Sequence, residues 1–206
     1  MTKIKICGVR DETTAESIMK LDIDLIGIVF CRKSIRCIKI DEAEKIVSKK
    51  IPSTSIVGLF SNDDKKYVDE IISKVNIDII QFHGDETDEY CSKFNIPYIK
   101  GVSATGRNKI EDIDLQYPNA EAFIIDSHSE DGIGGTGKSF DWINFDFKTR
   151  KPIILAGGLK ASNVKEAISK VKPYGVDVSS GVESSKGIKD INLIREFVRA
   201  VRNEKF

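Results

Sequence analysis

Eight short apolar runs alternate with segments of helical spacing along this chain, and that alternation constrains the fold more than any other feature. The runs are Lys3–Cys7, Leu25–Phe30, Ser55–Phe60, Ile77–Phe82, Pro97–Val102, Ala122–Asp126, Pro152–Leu155 and Gly175–Val178. Leu25-Ile26-Gly27-Ile28-Val29-Phe30 is almost continuously apolar, as expected of a strand covered on both faces. Between the runs lie Asp11–Met19, a stretch opening at Asp41, Asp63–Val75, Thr87–Phe94, a segment within Lys109–Gln116, a short apolar stretch Phe140–Phe147, Asn163–Val171 and Ile191–Val201. Asp11 and Asp41 stand where helix caps belong. In 206 residues the repeat averages about 26 residues, close to the minimum for a strand, a crossover helix and their turns. Such alternation specifies a parallel sheet with right-handed crossovers. The chain therefore reads as α/β: a single (βα)8 barrel over residues 1–206, with helices outside a closed parallel sheet. A doubly wound open sheet is the rival, but it normally uses fewer strands and one dominant glycine turn near the N-terminus.

Charge and cysteine content narrow the partners. The 32 basic and 32 acidic residues cancel, so whole-chain charge makes no case for nucleic acid or a membrane surface. No apolar run reaches the ~18 residues a membrane span needs, and the start has no signal-like apolar core. The expectation is a soluble, cytoplasmic protein. Cys7, Cys31, Cys37 and Cys91 form no CxxC pair, so reduced thiols are the default. With only His83 and His128 available, no metal site is expected. Oligomeric state stays open between monomer and homodimer.

The last two strand-and-turn units carry the clearest binding signal. Pro152-Ile153-Ile154-Leu155 stops at Ala156-Gly157-Gly158-Leu159, and Gly175-Val176-Asp177-Val178 stops at Ser179-Ser180-Gly181-Val182-Glu183. A parallel strand feeding a glycine turn and then a helix aims backbone N–H groups at one point, where the helix adds partial positive charge. Either turn alone can be a plain tight connection. Two adjacent ones after strands seven and eight make a shared cup for a phosphate.

Barrel enzymes place their chemistry at the C-terminal ends of the strands, which selects candidates without knowledge of the reaction. Cys7 ends strand one and Arg36 lies in the loop after strand two. Gln81 and His83 close strand four, Asp126 closes strand six, and Asp177 and Ser180 flank the end of strand eight. Cys7 can be a small buried apolar residue, or a base or nucleophile if nearby positive charge lowers its pKa. Asp126 can be a cap, or a general acid whose burial at the rim of a dry core helps it hold a proton. Arg36 can be solvated, or a bidentate clamp on a carboxylate. His83 can be a structural hydrogen-bonding residue or an orienting one. The glycine loop with Gly134 and Gly135 reads as a connector or a lid.

Taken in order, these motifs resemble one family. They are Lys5-Ile6-Cys7-Gly8, Gly27-Ile28-Val29-Phe30 with Ser34-Ile35-Arg36, Gln81-Phe82-His83-Gly84, Asp126, Gly134-Gly135-Thr136-Gly137, Phe140-Asp141-Trp142, Leu155-Ala156-Gly157-Gly158-Leu159 and Asp177 to Glu183. Together they strongly resemble the phosphoribosylanthranilate isomerases of tryptophan synthesis, across essentially the whole chain. Ile35, Phe82 and Ala161 replace residues common in that family without removing a functional group. The resemblance implies a cofactor-independent Amadori rearrangement of N-(5-phosphoribosyl)anthranilate to 1-(2-carboxyphenylamino)-1-deoxyribulose 5-phosphate. Carried over by position, Cys7 is the general base and Asp126 the general acid. Arg36 faces the substrate carboxylate, and Gly157, Gly158, Ser180 and Gly181 grip the phosphate with help from Gly134 and Gly135. Gln81, His83 and Asp177 orient. The alternatives are a barrel of different phosphosugar specificity and a non-catalytic phosphosugar binder; a metal-dependent epimerase is disfavoured by the two histidines and the lack of a ligand set.

Overall fold

β1 (Lys3–Cys7) pairs with β2 (Leu25–Val29) on one side and β8 (Gly175–Val178) on the other, and this double pairing closes the sheet. The computed structural model describes residues 1–103, 113–126 and 149–202. β3 (Ser55–Phe60), β4 (Ile79–Phe82), β5 (Tyr98–Ser103), β6 (Ala122–Asp126) and β7 (Ile153–Ala156) complete a closed parallel barrel in chain order. The helices described are α1 (Glu12–Met19), α2 (Ile40–Ser48), α3 (Lys65–Lys74), α4 (Asp88–Cys91), α5 (Ile113–Gln116), α6 (Ala161–Val171) and α7 (Ile191–Arg202). The expected α/β barrel is thus the observed one. The expected segment Phe140–Phe147 lies outside the described residues.

Two details differ from the sequence reading. α2 begins earlier than a cap at Asp41 allows: Lys39 is the N-cap, and the Glu42 carboxylate accepts its backbone N–H at 2.8 Å. Asp41 sits instead in the first turn, where negative charge suits the helix's positive end. The alternation also does not anticipate a small hairpin after β8, made of β9 (Glu183–Ser185) and β10 (Ile188–Lys189). Gly187 turns it at a φ of +82°. At α1 the reading holds, since Asp11 Oδ1 accepts the Thr14 N–H at 2.8 Å.

Strand side chains alternate between the helices and the lumen, and the two faces differ in chemistry. Ile4, Ile6, Ile26, Ile28, Phe60 and Phe82 join Ala15, Ile46, Val68, Val164 and Phe197 of the helices in the main core. Each large side chain buried there contributes about 1.5–3 kcal/mol. Phe30 stacks on Phe60 at 5.4 Å between ring centroids, and Phe60 meets Phe82 at 6.4 Å. Apart from the buried Gln81, the lumen is apolar along β4 to β7, where Ile79 packs on Ile99, Ala122, Ile124, Ile154 and Ala156. Along β1 and β8 it is polar: Lys5 and Asp177 are buried there.

One buried ion pair fastens the loops at the C-terminal end of the barrel. Lys100 Nζ on β5 lies 3.0 Å from Glu86 Oε2, and both side chains are almost wholly buried. Lys100 also donates to the Gly84 carbonyl. Glu86 further accepts the Asn62 N–H at 2.6 Å and the Gly84 N–H at 2.9 Å, which ties the loops after β3 and β4 to β5. Glu86→Ala strands a buried ammonium and two backbone donors, so it should cost about 3–5 kcal/mol of stability. Urea unfolding measures this, and a loss below about 1 kcal/mol, the level of an exposed pair, would reject the fastening role.

Candidate active site

Cys7 ends β1, and the chain turns at once because Gly8 takes a φ of +79°. Ile4 and Ile6 face the helices, so Lys5 and Cys7 share the lumen face. Gly27, in register with Cys7 on β2, makes room for them. A Cβ at Gly27 would lie 2.9 Å from Cys7 Sγ and 3.0 Å from Lys5 Nζ. Lys5 is fully buried, with Nζ 3.1 Å from Asp177 Oδ1. Burial works to discharge Lys5, but the Asp177 carboxylate and the Cys7 sulfur outweigh it and hold the ammonium above its usual range. Burial pushes the Cys7 thiol up, Lys5 and Lys189 pull it down, and Asp177 adds to the rise. The net direction is upward. The cations that the sequence reading invoked are present, yet desolvation outweighs them in the free protein.

Arg36 reaches the same spot from the loop after β2. Its stem crosses Gly8, where a Cβ would lie 2.6 Å from Arg36 Cδ. The guanidinium donates from Nε to Glu183 Oε1 at 2.6 Å and from Nη2 to Oε2 at 2.8 Å. Glu183 also accepts from Lys189 Nζ at 2.7 Å and from the Gly187 N–H at 3.0 Å. Burial alone would raise the Glu183 pKa; Arg36, Lys189 and Gly187 override it and draw it from 4.5 to about 2. Two of the five Arg36 donors are thus engaged, and the bidentate pair fixes the direction of the guanidinium.

Three strands from β1 round the ring, by way of β8 and β7, Asp126 closes β6. Its carboxylate lies 3.9 Å from His83 Nε2, and both side chains are about one-third exposed at the mouth. Asp126 therefore stands on a wet rim rather than a dry one. The Gln81 side-chain amide hydrogen-bonds His83 Nδ1 at 3.1 Å and so orients the ring whose Nε2 faces Asp126. Burial pushes the His83 pKa down, against the pull of the Asp126 charge, so the ring stays neutral at pH 7. Gly101 makes His83 fit, since a Cβ there would lie 2.4 Å from Nδ1. Gln81 Oε1 is buried without a hydrogen-bond partner among the described residues.

The two glycine turns meet. Gly157 and Gly158 have φ of +86° and +63°, and the space where a Gly158 Cβ would stand is open. A Cβ on Gly181 would lie 1.9 Å from the Leu159 carbonyl oxygen, so only glycine lets the turn after β8 touch the turn after β7. Ser180 opens a 3-10 turn, Ser180–Val182. α6 starts just past Gly158, where Asn163 accepts the Lys160 N–H at 2.9 Å and donates to the Gly158 carbonyl at 3.0 Å. Gly134 and Gly135 lie outside the described residues. Among the described residues no cluster of three or more His, Cys, Asp or Glu side chains is arranged to hold a metal ion. Lys5, Glu183 and Lys189 are the site residues that the sequence reading did not single out.

Fold and site together define a class: a (βα)8-barrel enzyme with thiol and carboxyl groups at one mouth. Residues 4–200 match the family model of N-(5'phosphoribosyl)anthranilate (PRA) isomerase. The chain belongs to the N-(5'-phosphoribosyl)anthranilate isomerase family. The isomerase of Hahella chejuensis is 41% identical over 202 residues, covering 98% of this chain and 95% of its own. The crystal structure of phosphoribosyl anthranilate isomerase from Thermotoga maritima superposes with a TM-score of 0.87 at 33% identity, over 98% of this chain and 100% of that one. A phosphoribosyl anthranilate isomerase in complex with reduced 1-(o-carboxyphenylamino)-1-deoxyribulose 5-phosphate superposes with a TM-score of 0.83 at 31% identity, over 98% of this chain and 100% of that one.

The Glu183 hub makes a signed pH prediction. Its folded pKa lies below the ordinary 4.5, so its stabilisation is complete above that pH and drains away as pH falls toward about 2. The stability difference between the parent and Glu183→Gln should therefore shrink from about pH 6 to about pH 3. A difference that stays constant in urea midpoints over that range would reject the ion-pair account.

Proposed function

We propose that Cys7 and Asp126 are the base and the acid through which this member of the family isomerises N-(5'-phosphoribosyl)anthranilate. The observation that carries the reading is their placement at the same end of the barrel on walls three strands apart, with the polar lumen between. Asp126 gives a proton to the furanose ring oxygen. The C1–O bond breaks as the nitrogen lone pair forms an iminium. The Cys7 thiolate then takes the C2 proton, the C–H electrons form a C1–C2 double bond, and the iminium electrons return to nitrogen. Ketonisation of the enol amine places a proton on C1 as the C2 hydroxyl loses one and the C2–O double bond forms. Atoms and electrons balance without a cofactor, and one proton returned from Cys7 to Asp126 through solvent resets the pair. Positioned acid and base groups are typically worth ~10²–10⁴-fold each.

The rest of the mouth serves that chemistry. Arg36, aimed by Glu183, receives the anthranilate carboxylate on its remaining donors. The backbone of Gly157, Gly158, Ser180 and Gly181, at the start of α6, holds the phosphate. His83 stays neutral beside Asp126, with Gln81 orienting its ring. Asp177 acts on Lys5 beside Cys7. Four free thiols suit a reducing compartment, which supports a cytoplasmic location. Among the described residues no helix is long and apolar enough to cross a membrane.

Cys7→Ser and Asp126→Asn should each lower kcat by more than ~10²-fold with the fold retained. The assay is the loss of substrate fluorescence with freshly made substrate, and near-normal turnover in either variant removes that residue from its role. Arg36→Met should act mainly on KM; unchanged KM and kcat would count against the carboxylate clamp.

A further inference from the structure

We propose that Lys5 is a positioning residue that favours the ionised form of Cys7 that proton abstraction requires. The inference rests on Cys7 as the base. Lys5 is fully buried in the lumen, two residues before Cys7 on the same strand face. Nothing in the main core needs an ammonium there: the neighbouring Ile4 and Ile6 supply the apolar packing from the other face. Nζ and Sγ converge on the space that Gly27 leaves empty, at 3.0 and 2.9 Å from the same point. A side chain at position 27 would displace one or both of them.

The surrounding charges make Lys5 the group that matters most to the sulfur. Asp177 of β8, 3.1 Å from Nζ, keeps Lys5 charged and itself disfavours a thiolate. Lys189 of β10 and Arg36 of the loop after β2 also act on Cys7, but Glu183 takes the side chains of both in ion pairs. His83, just after β4, feels the Lys5 charge and is neutral. Lys5 is the largest favourable influence on the Cys7 thiolate, opposing the burial that raises it. When Cys7 takes the C2 proton, its charge disappears beside an ammonium that stays paired to Asp177. The base thus becomes neutral without leaving Lys5 unpartnered.

Lys5→Met removes the charge at similar volume; Lys5→Gln keeps a donor for Asp177 if the first variant folds poorly. In substrate-free protein, the Cys7 titration can be followed by the cysteine Cβ carbon shift of isotope-labelled protein, assigned by its loss in Cys7→Ser. The midpoint should rise by about one pH unit or more in the variants, since each unit is a tenfold change in thiolate fraction. kcat should fall ~10-fold or more near neutrality and recover as pH rises, while KM changes little. A Cys7 titration that does not move, or a kcat loss equal at every pH, overturns the proposal. The two readings separate cleanly. Near-normal turnover in Cys7→Ser removes Cys7 as base, whereas the carbon shift reports the Lys5 effect on the thiol with no turnover at all.

Discussion

Closure of the sheet between its first and last strands is the constraint on which this structure depends. β1 meets β8 with Ile4 opposite Val176, Lys5 opposite Asp177 and Ile6 opposite Val178. Because side chains alternate, the isoleucines and valines go to the helices, and the lysine and aspartate go to the lumen together. A register slip of one residue would bury two charges among apolar side chains and expose the apolar face to the polar seam. The same closure sets the lumen's small cross-section. Gly27 and Gly101 are then required where Cys7 and His83 need space.

The interior is divided between two jobs. Along β4 to β7, the isoleucines and alanines make an ordinary packed filling. Along β1 and β8 the barrel gives up apolar packing for a buried ion pair, a choice that rarely favours stability by itself. The cost is local, because the large core between strands and helices is continuous. Above the seam, Arg36 and Lys189 converge on Glu183, so the charges at the mouth are held in pairs before any ligand arrives.

Most of the architecture was legible because each strand is a compact apolar run and each turn after it carries a breaker. β1, β3, β6 and β8 fall at the residues expected, and the others differ by a residue or two at their ends. The start of α2 was not legible: a lysine cap works there only because Glu42 reaches back to it. The hairpin after β8 hid in polar sequence, although Lys186-Gly187 is a turn signal. Cys7, His83 and Asp126 could be picked by the strand-end rule. Lys5 could not, because a Lys-Ile-Lys-Ile strand ordinarily turns its lysines to water. In a narrow barrel that polar face looks into the lumen, and the alternation then reads the other way round. Glu183 was illegible for a different reason: its partner Arg36 lies 147 positions away in sequence, and Lys189 joins the site only through Glu183.

The Glu183 hub also bears on how such a barrel could change its preference for one substrate over another. Arg36 does not choose its own direction; a carboxylate on a different loop chooses it. Lengthening or shortening the β9–β10 ribbon would therefore swing the guanidinium without altering the arginine, its loop, Cys7 or Asp126. With Arg36 as the carboxylate clamp proposed above, that ribbon is a dial on acid preference separate from Cys7 and Asp126.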